Sequence, residues 1–220
     1  MAADTGRVAA VTVWNPYALL LVLGVKPVEN RDYGPGLPLG SRILIHAGMK
    51  HDPESWEHGL GVLASGPQHV DPLAGAPWPL DPAPPNEDAD PDGATPYGAI
   101  VGEVTLEAVV RAPRPGERWW RGPVGWYFRR PVAIAPVFCR GMPGIFAPPQ
   151  VVVVEARARI DAQLAAMRSE LDRAYAAGKL TCPACGARPV ASAELTPSCP
   201  RDPRHLMQNA PAGRFAGARR

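Results

Sequence analysis

Three ionisable residues within six positions, Lys26, Glu29 and Arg31, are spaced to work together in this 220-residue chain. They follow an apolar run, 17–23, and Gly24, so charge is gathered at the end of a segment whose composition calls for burial. A partly desolvated lysine can act as nucleophile or base, and a neighbouring carboxylate orients the amine and favours its protonated form. An arginine presents a planar fork to a phosphate or a base edge. The competing reading is a structural ion pair that ties the turn to its surroundings. His46, at the end of the run SRILIHA, is an acid–base or ligand-binding candidate, with a satisfied structural histidine as the alternative. Cys139 reads as an inert core thiol.

A second constellation lies near the C-terminus. Cys182, Cys185, Cys199 and His205 form the pattern C-x2-C-x13-C-x5-H, which matches the spacing of a tetrahedral structural Zn2+ site. Asp202 competes with His205 for the fourth position. The segment 179–206 is too short and polar to build a core, so metal would supply most of its folding energy. Such a clip can also present a surface to a protein partner.

The elements that must position these residues are legible from periodicity. Residues 8–13 read as a strand, 41–47 as another, and 99–111 as a third. Segments 124–130 and 132–140 read as two further strands. Asn15 and Pro16 suit the start of a short buried helix stopped by Gly24. Pro53 opens a second helix with Trp56, Leu60 and Leu63 at helical spacing. Residues 156–178 hold a third helix, in which Ile160, Leu164, Met167, Leu171 and Tyr175 recur every three or four positions. Residues 151–154 read as a last strand or as the start of that helix.

Composition narrows the rest. Residues 67–98 carry nine prolines and six acids with no lysine or arginine, which marks a long insert in a barrel otherwise spanning 1–155. Residues 207–220 read as a disordered tail. The formal charge of +2 falls short of the basicity that would by itself argue for nucleic acid. No apolar run approaches the ~20 residues needed to span a bilayer, and the first residues lack a secretory pattern, so a cytoplasmic, reducing setting is expected. Strands with helices inserted early and one late predict an α+β fold, a small curled sheet or barrel with peripheral helices.

Trp14 and the run Gly24-Val25-Lys26-Pro27-Val28-Glu29-Asn30-Arg31 are followed by Gly40 and Ile45-His46-Ala47. Further on come Gly98-Ala99-Ile100-Val101-Gly102, Gly125-Trp126-Tyr127-Phe128 and Gly144-Ile145-Phe146. Over about 8–147 this set resembles the ASCH domain of the PUA-like superfamily. The resemblance implies a small β-barrel with a cleft that binds RNA or a modified nucleobase. Lys26 and Arg31 would contact phosphate or base edges, Glu29 would read a base amino group, and Trp14 or Trp126 would form a wall. One branch of the family hydrolyses the amide of N4-acetylcytidine and others are reported as ribonucleases, which would make Lys26 and Glu29 catalytic. In the hydrolytic branch a threonine stands three positions after the lysine, where this chain has Glu29. The family's third functional group, an acid, has its counterpart in Glu117. The adjacent Trp119 and Trp120 point opposite ways on an extended segment, so one is expected to be exposed or to face the cleft. Arg114, Arg118, Arg121, Arg129, Arg130 and Arg140 make that half of the barrel locally basic.

Overall fold

The computed structural model describes residues 8–64, 95–176, 190–191 and 197–198. The elements run β1 (Ala9–Val13), α1 (Tyr17–Val22), β2 (Val28–Arg31), β3 (Arg42–Ala47), α2 (Pro53–Ala64), β4 (Ala99–Val110) and β5 (Val124–Phe138). They are followed by β6 (Ile145–Phe146), α3 (Gln150–Ala176), β7 (Val190–Ala191) and β8 (Pro197–Ser198). The chain divides into two compact units, Met1–Ile160 and Asp161–Arg220. In the second, β7 and β8 pair antiparallel. The predicted zinc ligands Cys182, Cys185, Cys199 and His205, and all but the end of the Pro-rich insert, lie outside the described residues. Among the described residues no helix is long and apolar enough to cross a membrane.

The first unit is α+β. Among its described residues six strands form one sheet in the order β2-β5-β4-β3-β1-β6, with β1 and β3 parallel and every other pair antiparallel. The expected barrel is therefore an open, curled half-barrel, with β2 and β6 as its edges. Curling brings the β2 edge round to β1, where Arg31 Nη2 donates to the Thr12 carbonyl at 2.6 Å. A side chain thus spans a gap that no backbone ladder closes among the described residues.

α1 plugs the concave face. Its Leu19, Leu20, Leu21 and Val22 are at most 2% exposed, and each such side chain contributes roughly 1.5–3 kcal/mol on burial. Gly24 adopts φ 72° and ends the helix as expected. Asn15 does not cap it: Pro16 holds the N-cap position, and the Asn15 amide donates to the Pro96 carbonyl at 2.7 Å. Gly102 lets β4 pass under this helix, since a Cβ there would lie 2.2 Å from the Val132 carbonyl and 2.7 Å from Val22.

One expectation is corrected and one open alternative is decided. Segments 124–130 and 132–140 are one strand, β5, bent where Arg130 takes φ 51° and where the β4 pairing shifts register. The late helix starts at Gln150, so 151–154 is its first turn rather than a strand. Val152, Val153, Ala156 and Ile160 are buried there. Arg157 of this helix and Arg42 of β3 both pair with the buried Glu103 of β4, which fastens the helix to the sheet.

Candidate functional site

Among the described residues β6 pairs only with Ala10 and Val11, and no described strand lies along the outer edge of β1 from Thr12 onward. Opposite lies β2, itself an edge. Between them opens a recess of ≈ 330 Å³. Thr12, Val13 and Trp14 supply one wall, and Lys26, Glu29, Asn30 and Arg31 the other. Tyr17 of α1, Ser55 and His58 of α2, and Trp119 and Arg121 of the 111–123 loop complete it.

The charged residues follow from strand geometry. Glu29 and Arg31 are two apart on β2, so both side chains leave the same face. Lys26 Nζ lies 2.9 Å from Glu29 Oε2 and also donates to the Val28 carbonyl. Arg31 Nε sits 3.2 Å from Glu29 Oε1, near enough for an ion pair but not in hydrogen-bond geometry, so this buried N–H has no hydrogen-bond acceptor among the described residues. Lys26 and Glu29 are 3% and 7% exposed. The three side chains are locked to one another by these ion pairs, and the recess lies beside them. An ammonium has three N–H directions, and two of them are engaged. Lys26 is placed to donate, with its charge 5.3 Å from the centre of the Tyr17 ring.

Of the aromatic candidates, Trp14 stands at the rim, 44% exposed, with the Lys50 ammonium 3.6 Å over its ring. It also lines the recess. Trp126 is fully buried. Its indole N–H donates to the Tyr33 carbonyl at 2.7 Å and the Arg31 guanidinium lies 5.8 Å from its ring, so it supports the arginine from behind instead of forming a wall. Trp119 is the member of the tryptophan pair that lines the recess, while Trp120 packs over Gly125. Glu117 accepts from the Trp119 N–H at 2.9 Å and shapes the loop, without lining the recess.

His46 is likewise outside the recess. It is 1% exposed, its Nε2 lies 3.0 Å from the Cys139 carbonyl, and its Nδ1 has no partner among the described residues. Burial pushes its imidazole below the usual range, with the Cys139 carbonyl acting in the opposite sense. Burial also raises the Cys139 thiol, in keeping with an inert sulfur.

Thr12, Val13, Tyr17, Asn30, Ser55 and His58 line the recess and escaped the sequence reading. Asn30 clamps the loop to β2: its Nδ2 donates to the Trp119 carbonyl and its Oδ1 accepts from the Arg121 N–H, both at 2.8 Å. Tyr17 Oη lies 2.8 Å from His58 Nδ1, and the imidazole meets the rings of Tyr17 and Trp119 edge-on. Burial raises the Tyr17 phenol. Burial, followed by the charges of Arg121 and Lys26, lowers the His58 imidazole. The one signal that pointed this way was the helical spacing of α2, which puts Ser55 and His58 within one turn of each other.

No protein-family model and no curated protein matches the chain. Among solved structures it is similar to ASCH from Zymomonas mobilis at 14% identity, covering 69% of this chain and 94% of that one with a TM-score of 0.37. A single-residue variant of the same protein gives a TM-score of 0.41 at 14% identity, covering 69% of this chain and 97% of that chain.

Proposed function

We propose that the recess between β1 and β2 binds one base of RNA or a modified nucleoside. The observation that carries this reading is a donor–acceptor rail, Lys26–Glu29–Arg31, laid along an open seam whose rim is aromatic. A volume of ≈ 330 Å³ lies at the low end of the roughly 300–1,000 Å³ typical of small-molecule sites, which suits one base with its sugar. The half-exposed Trp14 ring at the rim would supply a stacking platform, worth roughly 1–3 kcal/mol per base. Lys26 and Arg31 offer N–H groups to base carbonyls, and Glu29 offers carboxylate lone pairs to an exocyclic amine. Titration with nucleosides and short RNAs at low salt, read by intrinsic fluorescence, tests the idea. Trp14→Ala should weaken binding by about ten- to a hundredfold. Absence of binding by every ligand, or binding indifferent to Trp14, would refute it.

A second reading, hydrolysis of N4-acylated cytidine or of RNA, draws support from the Tyr17–His58 contact beside Lys26, a proton-carrying pair within the same recess. Release of acetate from N4-acetylcytidine, or cleavage of RNA, that disappears in Lys26→Ala would favour it. No turnover in the unaltered protein removes it. For the C-terminal segment the reading is a structural Zn2+ held by Cys182, Cys185, Cys199 and His205, available to a protein partner.

A further inference from the structure

Of the four charged side chains lining the recess, three are cationic against one carboxylate. Glu29 and the Thr12 carbonyl engage Lys26 and Arg31. Arg121 differs. Its backbone is pinned by Asn30, its side chain is exposed, and among the described residues its guanidinium has no acidic partner. His58 lines the same recess, held edge-on between Tyr17 and Trp119 with Nδ1 against the Tyr17 hydroxyl. With Nδ1 accepting from that hydroxyl, the neutral imidazole carries its proton on Nε2, which is then a donor for a ligand.

We propose that Arg121 and His58 form a phosphate subsite, so that the recess takes a nucleotide monophosphate, free or as the end of an RNA, in preference to the uncharged nucleoside. This rests on the nucleobase reading above and adds the anion to it. An arginine fork presents paired N–H donors to phosphate oxygens, and a charge-assisted bond of this kind is about twice as strong as a neutral one. Burial apart, the His58 imidazole is depressed by Arg121 and Lys26, the behaviour of a histidine in a cationic hollow that an anion would neutralise. Asn30 makes the arrangement a positioned one. It ties the strand carrying Glu29 and Arg31 to the loop carrying Trp119 and Arg121, so the base rail and the phosphate donors keep a set separation.

The test is calorimetric titration of the full chain with each nucleoside, its 3′- and 5′-monophosphates, and inorganic phosphate, at low salt. One of the monophosphates should bind about tenfold or more tightly than its nucleoside, and more tightly than inorganic phosphate. In Arg121→Gln the ratio of monophosphate to nucleoside affinity should fall toward one, and His58→Gln should reduce it in part. Equal affinity for nucleoside and monophosphate, or a preference that survives Arg121→Gln, overturns the subsite and leaves the nucleobase reading standing. Inorganic phosphate binding as tightly as the nucleotide also overturns it, in favour of a simple anion site. If nothing binds, both readings fall.

Discussion

Replacing Glu29 by glutamine keeps the shape of the side chain and removes the one charge that holds the Lys26–Arg31 pair together. In the folded protein that carboxylate is 7% exposed, 2.9 Å from Lys26 Nζ and 3.2 Å from Arg31 Nε. The variant leaves a lysine that is 3% exposed without a counter-ion, and breaking a buried pair in this way costs about 3–5 kcal/mol. Two features reduce the figure. Lys26 keeps its bond to the Val28 carbonyl, and the Arg31 side chain is 22% exposed, so water screens part of its charge. An expected loss of about 2–4 kcal/mol follows, most of it from Lys26. Urea denaturation of both proteins at neutral pH measures it. A companion change, Lys26→Met, removes the stranded cation, so the double variant should be less destabilised than the sum of the single ones by at least ~1 kcal/mol. A loss below ~1 kcal/mol in Glu29→Gln, or strict additivity in the double variant, would refute the view that the cluster is mutually supported.

Three further outcomes are expected. Gly102→Ala should destabilise the protein by about 1–3 kcal/mol in the same assay, because the new methyl meets the Val132 carbonyl and Val22 at once and a β-ladder carbonyl has little room to retreat. Stability should decline with acidification below the unfolded histidine value near 6.5, because the buried His46 and recess-lining His58 have depressed pKa values and the unfolded chain takes up protons that the folded one refuses. The contribution is complete above that value and is lost as the pH falls toward the folded ones. His46→Gln, which can retain a donor to the Cys139 carbonyl, should flatten the dependence of the urea midpoint between pH 8 and pH 5.5 without abolishing it, since His58 remains. Elemental analysis of protein purified without added metal should find about one zinc per chain, falling toward zero in Cys182→Ser, Cys185→Ser; a zinc content near zero in the unaltered protein would remove the proposal.

What could be read from the residues was whatever local pattern dictates. β1, β3 and β4 announce themselves through β-branched runs bounded by turn residues, and α3 through its repeat of three and four. The Lys26–Glu29–Arg31 cluster stood out because charge at the end of an apolar helix is costly unless something compensates it. β2 escaped because Val28–Arg31 is only four residues long and three of them are polar, so it has no alternation to detect. β5 read as two strands because the bend at Arg130 and Pro131 interrupts its pattern, although the ladder with β4 carries on past it.

The recess required the fold itself. Its walls come from five separate stretches between Thr12 and Arg121, and no spacing rule links an asparagine on β2 to a loop about ninety residues later. The same holds for the tryptophans. Trp14, Trp119 and Trp126 are alike as letters, and only the curl of the sheet decides that one stands at the rim, one lines the wall and one lies beneath the arginine. Short-range order depends on neighbours three or four residues away, so the chain alone determined its helices, its longer strands and the company of its charges. The opening between β1 and β2 depends on which strands fail to meet, and that is settled by long-range packing: β6 covers only two residues of β1, and Arg31 reaches across where a ladder would have closed the barrel.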